Sequence, residues 1–191
     1  MNRSALFFWV WTWLCIGPVQ ASDLAQRLRS PDHVLLMRHA YAPGVGDPAG
    51  FNLARCETQR LLNEEGKRQA RRTGHWLREQ GVNQALVFSS IWCRCQETAV
   101  NLQLGPVSIE PSLGSFFQDA AQAAPRTRAL QAFIAQTLPG KGDRALILVT
   151  HQVNITELTG RHVGTGDMVL VRVSPQGQVL EHHTHPGQGF N

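Results

Sequence analysis

The apolar residues of this chain gather in short unbroken blocks, separated by longer polar stretches in which they recur at helical spacing. His33 to Met37 is one such block, flanked by Pro31 and by the Gly- and Pro-rich stretch Pro43 to Gly50; this is the pattern of a buried strand emptying into a loop. Leu61 to Glu79 spaces Leu62, Ala70, Gly74 and Leu77 among Lys, Arg, Gln and Glu and stops at Gly81, which predicts an amphipathic helix. Ala85 to Phe88 predicts a second buried strand, and Ser89-Ser90 a helix start for Trp92 to Leu104. Val107 to Ile109 reads as a third short strand, whereas Pro111 to Pro125, with Phe116 and Phe117, shows no period that assigns it. A helix follows over Thr127 to Leu138, stopped by Pro139 and Gly140, and then Ala145 to Thr150, the most strand-like run of all. Val153 to Gly160 predicts another helix. Met168 to Val173 and Gln178 to Glu181 flank a turn at Pro175 to Gly177 as a terminal hairpin.

Strands alternating with helices predict an α/β domain: a three-layer α/β/α sandwich with a mostly parallel central sheet, edged by an antiparallel strand. In such sheets the active site lies beyond the carboxyl ends of the strands, near a switch in strand order.

The amino-terminal residues change the picture. Arg3 supplies a short basic region, Ala5 to Ile16 an apolar run, and Val19-Gln20-Ala21 a small-residue cleavage site, so residues 1–21 read as a signal peptide and residues 22–191 as a single domain that is periplasmic or secreted. If the segment stayed uncleaved it would be the chain's one attachment to a membrane. Thr12-Trp13-Leu14 before Cys15 lacks the small residue that lipoprotein processing requires. The whole chain carries +4; residues 1–21 hold Arg3 as their one charge, leaving 17 basic against 14 acidic residues. The basic residues concentrate around Lys67, Arg68, Arg71 and Arg72 at helical spacing, a solvated face rather than a nucleic-acid footprint, and no nucleic-acid partner is expected. Beyond Cys15 three cysteines remain, Cys56, Cys93 and Cys95. Residues two apart on a helix do not face each other, so a bridge from Cys56 to Cys93 or to Cys95 is favoured over one within the Cys-Arg-Cys triplet.

Chemistry-bearing residues collect at the three strand ends. The first ends in Arg38-His39; the second in Ser89-Ser90, with Arg94 one turn beyond; the strand Ala145 to Val149 in Thr150-His151. Singly each has a bland account: His39 a hydrogen-bonded structural residue, Arg94 an ion-pair partner, His151 a helix cap. Together they form an anion pocket, because Arg binds phosphate oxygens bidentately, helix starts add N–H donors, and neutral imidazole is a nucleophile at physiological pH.

Leu35-Leu36-Met37-Arg38-His39-Ala40, then Ser89-Ser90-Ile91-Trp92-Cys93-Arg94-Cys95-Gln96-Glu97-Thr98-Ala99, then Leu146-Ile147-Leu148-Val149-Thr150-His151 resemble, in order and spacing, the three motifs of the histidine phosphatase superfamily, which includes the cofactor-dependent phosphoglycerate mutases. The similarity covers about residues 33–173. It implies a phosphoglycerate mutase-like fold, transient phosphorylation of His39, a phosphate held by Arg38, Arg94 and His151 with Gln152 and Asn154 beside them, and release by water without metal or diffusible cofactor. Ala40 stands where a glycine is common, Ile91 where a proline is frequent, and cysteines flank Arg94. If Cys56 bridges to one of them, the bond ties the loop after the nucleophile to the helix carrying Arg94.

The resemblance also calls for a proton donor to the leaving group. Asp119, in the unassigned segment after Phe116-Phe117, is the choice, with Glu110 and Glu157 as alternatives; a weak donor would favour good leaving groups. The expected function is an exported, metal-independent phosphatase acting on a small phosphate ester or a phosphorylated envelope component. The rivals are a phosphate-binding module of the same fold without turnover and a membrane-anchored phosphohistidine phosphatase. Specificity is expected from Tyr41 to Thr58 and Pro111 to Pro125. Glu181-His182-His183-Thr184-His185 lacks further ligands at metal-binding spacing and is expected to be a disordered end.

Overall fold

The computed structural model describes residues 22–189; the signal-peptide reading of residues 1–21 falls outside them. Six strands form one sheet: β1 (His33–Arg38), β2 (Ala85–Ser89), β3 (Val107–Ile109), β4 (Ala145–Thr150), β5 (Met168–Val173) and β6 (Val179–His185), in the order β3-β2-β4-β1-β5-β6. β1 to β4 run parallel, and β5 and β6 close one side antiparallel. Two antiparallel strands, rather than one, therefore edge the sheet. Central β4 is buried along its whole length and β1 along all but its last residue, as expected of strands covered on both faces.

Helices α1 (Asp23–Arg29), α2 (Glu64–Glu79) and α3 (Cys93–Leu102) pack on one face, where Leu28, Leu77 and Leu102 meet Leu35, Met37 and Ile147. Helices α4 (Ala123–Thr137) and α5 (Gln152–Thr159) cover the other, with Leu130, Ile134 and Ile155 against Val34, Leu36 and Leu148. The three-layer sandwich is as expected. Among the described residues no helix is long and apolar enough to cross a membrane.

Several boundaries differ from the sequence expectation. α2 starts at Glu64 rather than Leu61 because Asn63 caps it, its side chain accepting from Gly66 N–H, while Leu62 turns into a small cluster with Ala40, Ala42 and Ala70. α3 is shorter than Trp92 to Leu104, ending where Gln103 takes a left-handed conformation, φ 55°. α4 begins at Ala123, ahead of Thr127, and takes Pro125 into its first turn, where a missing N–H removes no helical bond. The histidine-rich tail is not a disordered end: Glu181 to His185 pair with β5 as the edge strand β6. Lys141, 1% exposed, donates from Nζ to the carbonyls of Leu28, Arg29, Gly142 and Arg144, so a buried ammonium joins the end of α1 to the turn before β4.

Candidate active site

β1 and β4 are adjacent and in register, Arg38 opposite Thr150, so the residues that follow them emerge side by side. His39 N–H donates to Thr150 O at 3.0 Å, and the rings of His39 and His151 meet edge to face with centroids 5.6 Å apart. β2 flanks β4 on its other side, and the first turn of α3 brings Arg94 Nη2 to 3.5 Å from His151 Nδ1. Arg38, His39, Arg94 and His151 thus line one cleft of about 390 Å³ at the carboxyl ends of the strands.

The surroundings fix the state of His39. Its Nδ1 lies 2.8 Å from Ala40 O; a carbonyl only accepts, so Nδ1 carries the proton and Nε2 keeps its lone pair. Ala40 is held in turn, its N–H donating to Thr98 Oγ1, which donates to Arg94 O. The His39 ring is 2% exposed. Burial first, and then the guanidinium charges of Arg94, Arg38 and Arg60, lower its pKa to about 3, so the imidazole is neutral at any ordinary pH. His151 is likewise pushed well below its ordinary value by burial, His39 and the arginines, and its Nε2 pairs with Ser90 Oγ at 2.9 Å. Arg38 donates from Nη1 to Val163 O at 2.7 Å. Arg38 Nε and Arg94 Nε are buried without a partner, leaving the cleft short of acceptors, the condition in which an oxyanion binds well.

Three further residues join this site that the sequence reading did not single out. Asp47 Oδ1 lies 2.7 Å from Arg94 Nη1, with both side chains nearly closed to solvent, while its Oδ2 accepts from Trp92 Nε1. Arg60 lines the cleft and donates to Ala42 O and Gly46 O. Trp92 packs its ring on His151, centroids 5.1 Å apart. One signal was available for Asp47: it is the only acid between His33 and Cys56.

Among the donor candidates, Asp119 lines the cleft, with its Oδ1 accepting from Ala121 N–H. Glu110 instead accepts from Ser112 N–H at a turn, and Glu157 is exposed on α5; neither lines the cleft. Gln152 does line it, but its amide donates to Thr156 and contacts His162. Asn154 is buried and donates to Gly114 O, tying α5 to the 111–122 segment rather than facing the cleft.

Of the two bridges left open by the sequence, the structure has Cys56–Cys93. Cys95 is free and buried, its Sγ 3.5 Å from His151 Nε2, and burial pushes its thiol up to about 12, which keeps it protonated and unreactive. The disulfide joins the 43–60 loop, which carries Asp47 and Arg60, to the residue preceding Arg94. Among the described residues no three or more His, Cys, Asp or Glu side chains are grouped to hold a metal ion.

Known proteins share the fold that carries this cleft. Residues 34–116 match the model of the histidine phosphatase superfamily (branch 1). Among curated proteins none matches. The fold is shared with the protein histidine phosphatase SixA bound to tungstate, 20% identical, covering 81% of this chain and 96% of that one with a TM-score of 0.55. It is shared also with a mycobacterial glucosyl-3-phosphoglycerate phosphatase bound to VO3, at 17%, 83%, 100% and 0.58. A third structure, phosphoserine phosphatase of Entamoeba histolytica with 3-phosphoglyceric acid, gives 12%, 82%, 98% and 0.57.

Proposed function

We propose that this chain, a phosphatase of the histidine phosphatase superfamily, hydrolyses phosphate monoesters through a phosphohistidine at His39. The observation that carries this reading is the His39 side chain: a neutral imidazole whose Nδ1 proton is fixed on Ala40 O, its Nε2 lone pair free, in a cleft shared with Arg38, Arg94 and His151. In the first step Nε2 attacks phosphorus; the N–P bond forms as the P–O bond to the leaving group breaks, and that oxygen departs with the electron pair and takes a proton from Asp119. Arg38 and Arg94 match the charge spread over the equatorial oxygens, and their fixed positions supply most of what the protein contributes. In the second step water attacks phosphorus, the N–P pair returns to Nε2, the proton released by water returns to Asp119, and inorganic phosphate leaves. No step draws on a metal or diffusible cofactor.

Export is part of the proposal. It is supported by Arg3, the apolar run Ala5 to Ile16 and the Val19-Gln20-Ala21 site, and by the Cys56–Cys93 bridge, a bond that persists in oxidising compartments. The substrate is then a small phosphorylated molecule or envelope component.

Hydrolysis of p-nitrophenyl phosphate by the purified full chain, with and without EDTA and beside His39→Ala, tests the reading. Activity that survives EDTA and disappears with the substitution supports it. A folded chain that binds vanadate but turns nothing over, or whose activity His39→Ala leaves intact, overturns it.

A further inference from the structure

Above its cationic base the cleft changes character. Trp92 presents ring surface only, since its one polar group, Nε1–H, is already bonded to Asp47. Phe51 continues that surface, its ring 6.4 Å from Trp92, with Leu53 beside it. Two large apolar side chains stand in solvent at the rim: Val45, 88% exposed, from the 43–60 loop, and Phe117, 59% exposed, from the 111–122 segment. An exposed aromatic ring lining a cleft that holds further aromatic surface marks contact with an apolar ligand.

Most polar side chains of the same walls are already engaged, with Gln118 the exception. Asp47 serves Arg94, Trp92 and the Arg60 N–H; Arg60 serves two carbonyls; Gln152 serves Thr156 and His162; Asp119 and Ser115 accept from backbone N–H groups next to them. A sugar or polyol would bring hydroxyls into walls whose donors and acceptors are mostly committed, and an unmatched buried hydroxyl is costly. A flat apolar group meets no such cost.

Resting on the phosphatase reading above, we infer that the substrate is a phosphate monoester of an aromatic group, either a small aryl phosphate or a phosphorylated tyrosine side chain. The phosphate sits on Arg38, Arg94 and the two histidines, and the ring lies between Trp92–Phe51 and Phe117. His39 Nε2 displaces the ester oxygen as described, and that oxygen leaves on the ring. A phenolate is a better leaving group than an alkoxide, which suits a donor such as Asp119 that is open to solvent.

Leaving-group acidity and wall contact are separated by comparing two alkyl esters, benzyl phosphate and glycerol 3-phosphate, on the oxidised full chain. The expected result is a kcat/KM for benzyl phosphate higher by roughly thirtyfold, with Phe117→Ala shrinking that ratio about tenfold, chiefly through KM, and Phe117→Leu restoring part of it. Equal kcat/KM for the two esters, or a ratio untouched by Phe117→Ala, overturns the aromatic assignment while leaving the phosphatase reading standing. No hydrolysis of either ester or of p-nitrophenyl phosphate by a folded chain overturns both. Free phosphotyrosine against a phosphotyrosyl peptide then separates the two sources: faster turnover of the peptide assigns a protein substrate, faster turnover of the free amino acid a small one.

Discussion

Arg94 Nη1 and Asp47 Oδ1 meet at 2.7 Å, with side chains 4% and 6% exposed, so an arginine of the cleft is held by a carboxylate from a loop 47 residues earlier in the chain. Removing one partner of a buried pair leaves the other charge uncompensated, which costs roughly 3–5 kcal/mol. Asp47→Ala should lower stability in urea by about that much and lower kcat/KM by about a hundredfold. Asp47→Asn, which keeps an acceptor facing Arg94, should lose less of both. Equal activity in Asp47→Ala and the unmodified chain would separate the pair from catalysis.

A phosphohistidine has its own signature. Brief mixing with a 32P-labelled aryl phosphate, followed by quenching, should leave label on the chain that is stable in base and lost in acid. His39→Ala should carry none, while His151→Ala should carry label that turns over slowly. Acid-stable label on any residue would contradict the role given to His39.

Burial and neighbouring arginines hold His39 near a pKa of about 3 and His151 well below its ordinary value. The unfolded chain, with histidines near 6.5, binds protons that the folded chain refuses. Their contribution to stability is therefore complete above pH 6.5 and drains as pH falls below it, for His39 down to about 3, at up to about 1.4 kcal/mol per pH unit for each imidazole. Urea midpoints measured from pH 7.5 down to 4.5 should fall, and His39→Asn should flatten part of the slope. An unchanged slope in that variant would mean that His39 is not the group refusing the proton.

The Cys56–Cys93 bridge closes a loop spanning 37 residues, for which chain entropy predicts roughly 3–4 kcal/mol of stabilisation. Reduction should lower the melting temperature. Because the loop carries Asp47 and Arg60, activity should fall as well, at temperatures where the reduced chain is still folded. Full activity with both thiols demonstrably free would leave the bridge a purely structural one.

The parts of the site that could be read in the sequence are those fixed by short-range rules. Arg38 and His39 directly follow an apolar strand, and Thr150-His151 does the same, so the position of each in an α/β sheet follows from its neighbours alone. Asp47 and Arg60 lie in a stretch without periodicity. Their places are set by a disulfide and by bonds to Arg94, Trp92 and two carbonyls, contacts between residues far apart in the chain. The helix Asp23–Arg29 is too short for a period to register. The first part of β6 was legible as the second strand of the hairpin, but its run through His182 to His185 was not, because an edge strand pairs through its backbone and those residues need not be apolar to do so.

α2 runs from the loop after His39, where Gly66 lies against Tyr41 O with no room for a side chain, to its cap Gln80, whose carbonyl accepts from Ser22 Oγ. Ser22 and the end of α1, which the Lys141 ammonium fastens, therefore lie at the pole opposite His39. A tether or a fused partner on that side would leave the substrate's approach clear, and the domain could work with one end moored and the other open to the surrounding fluid.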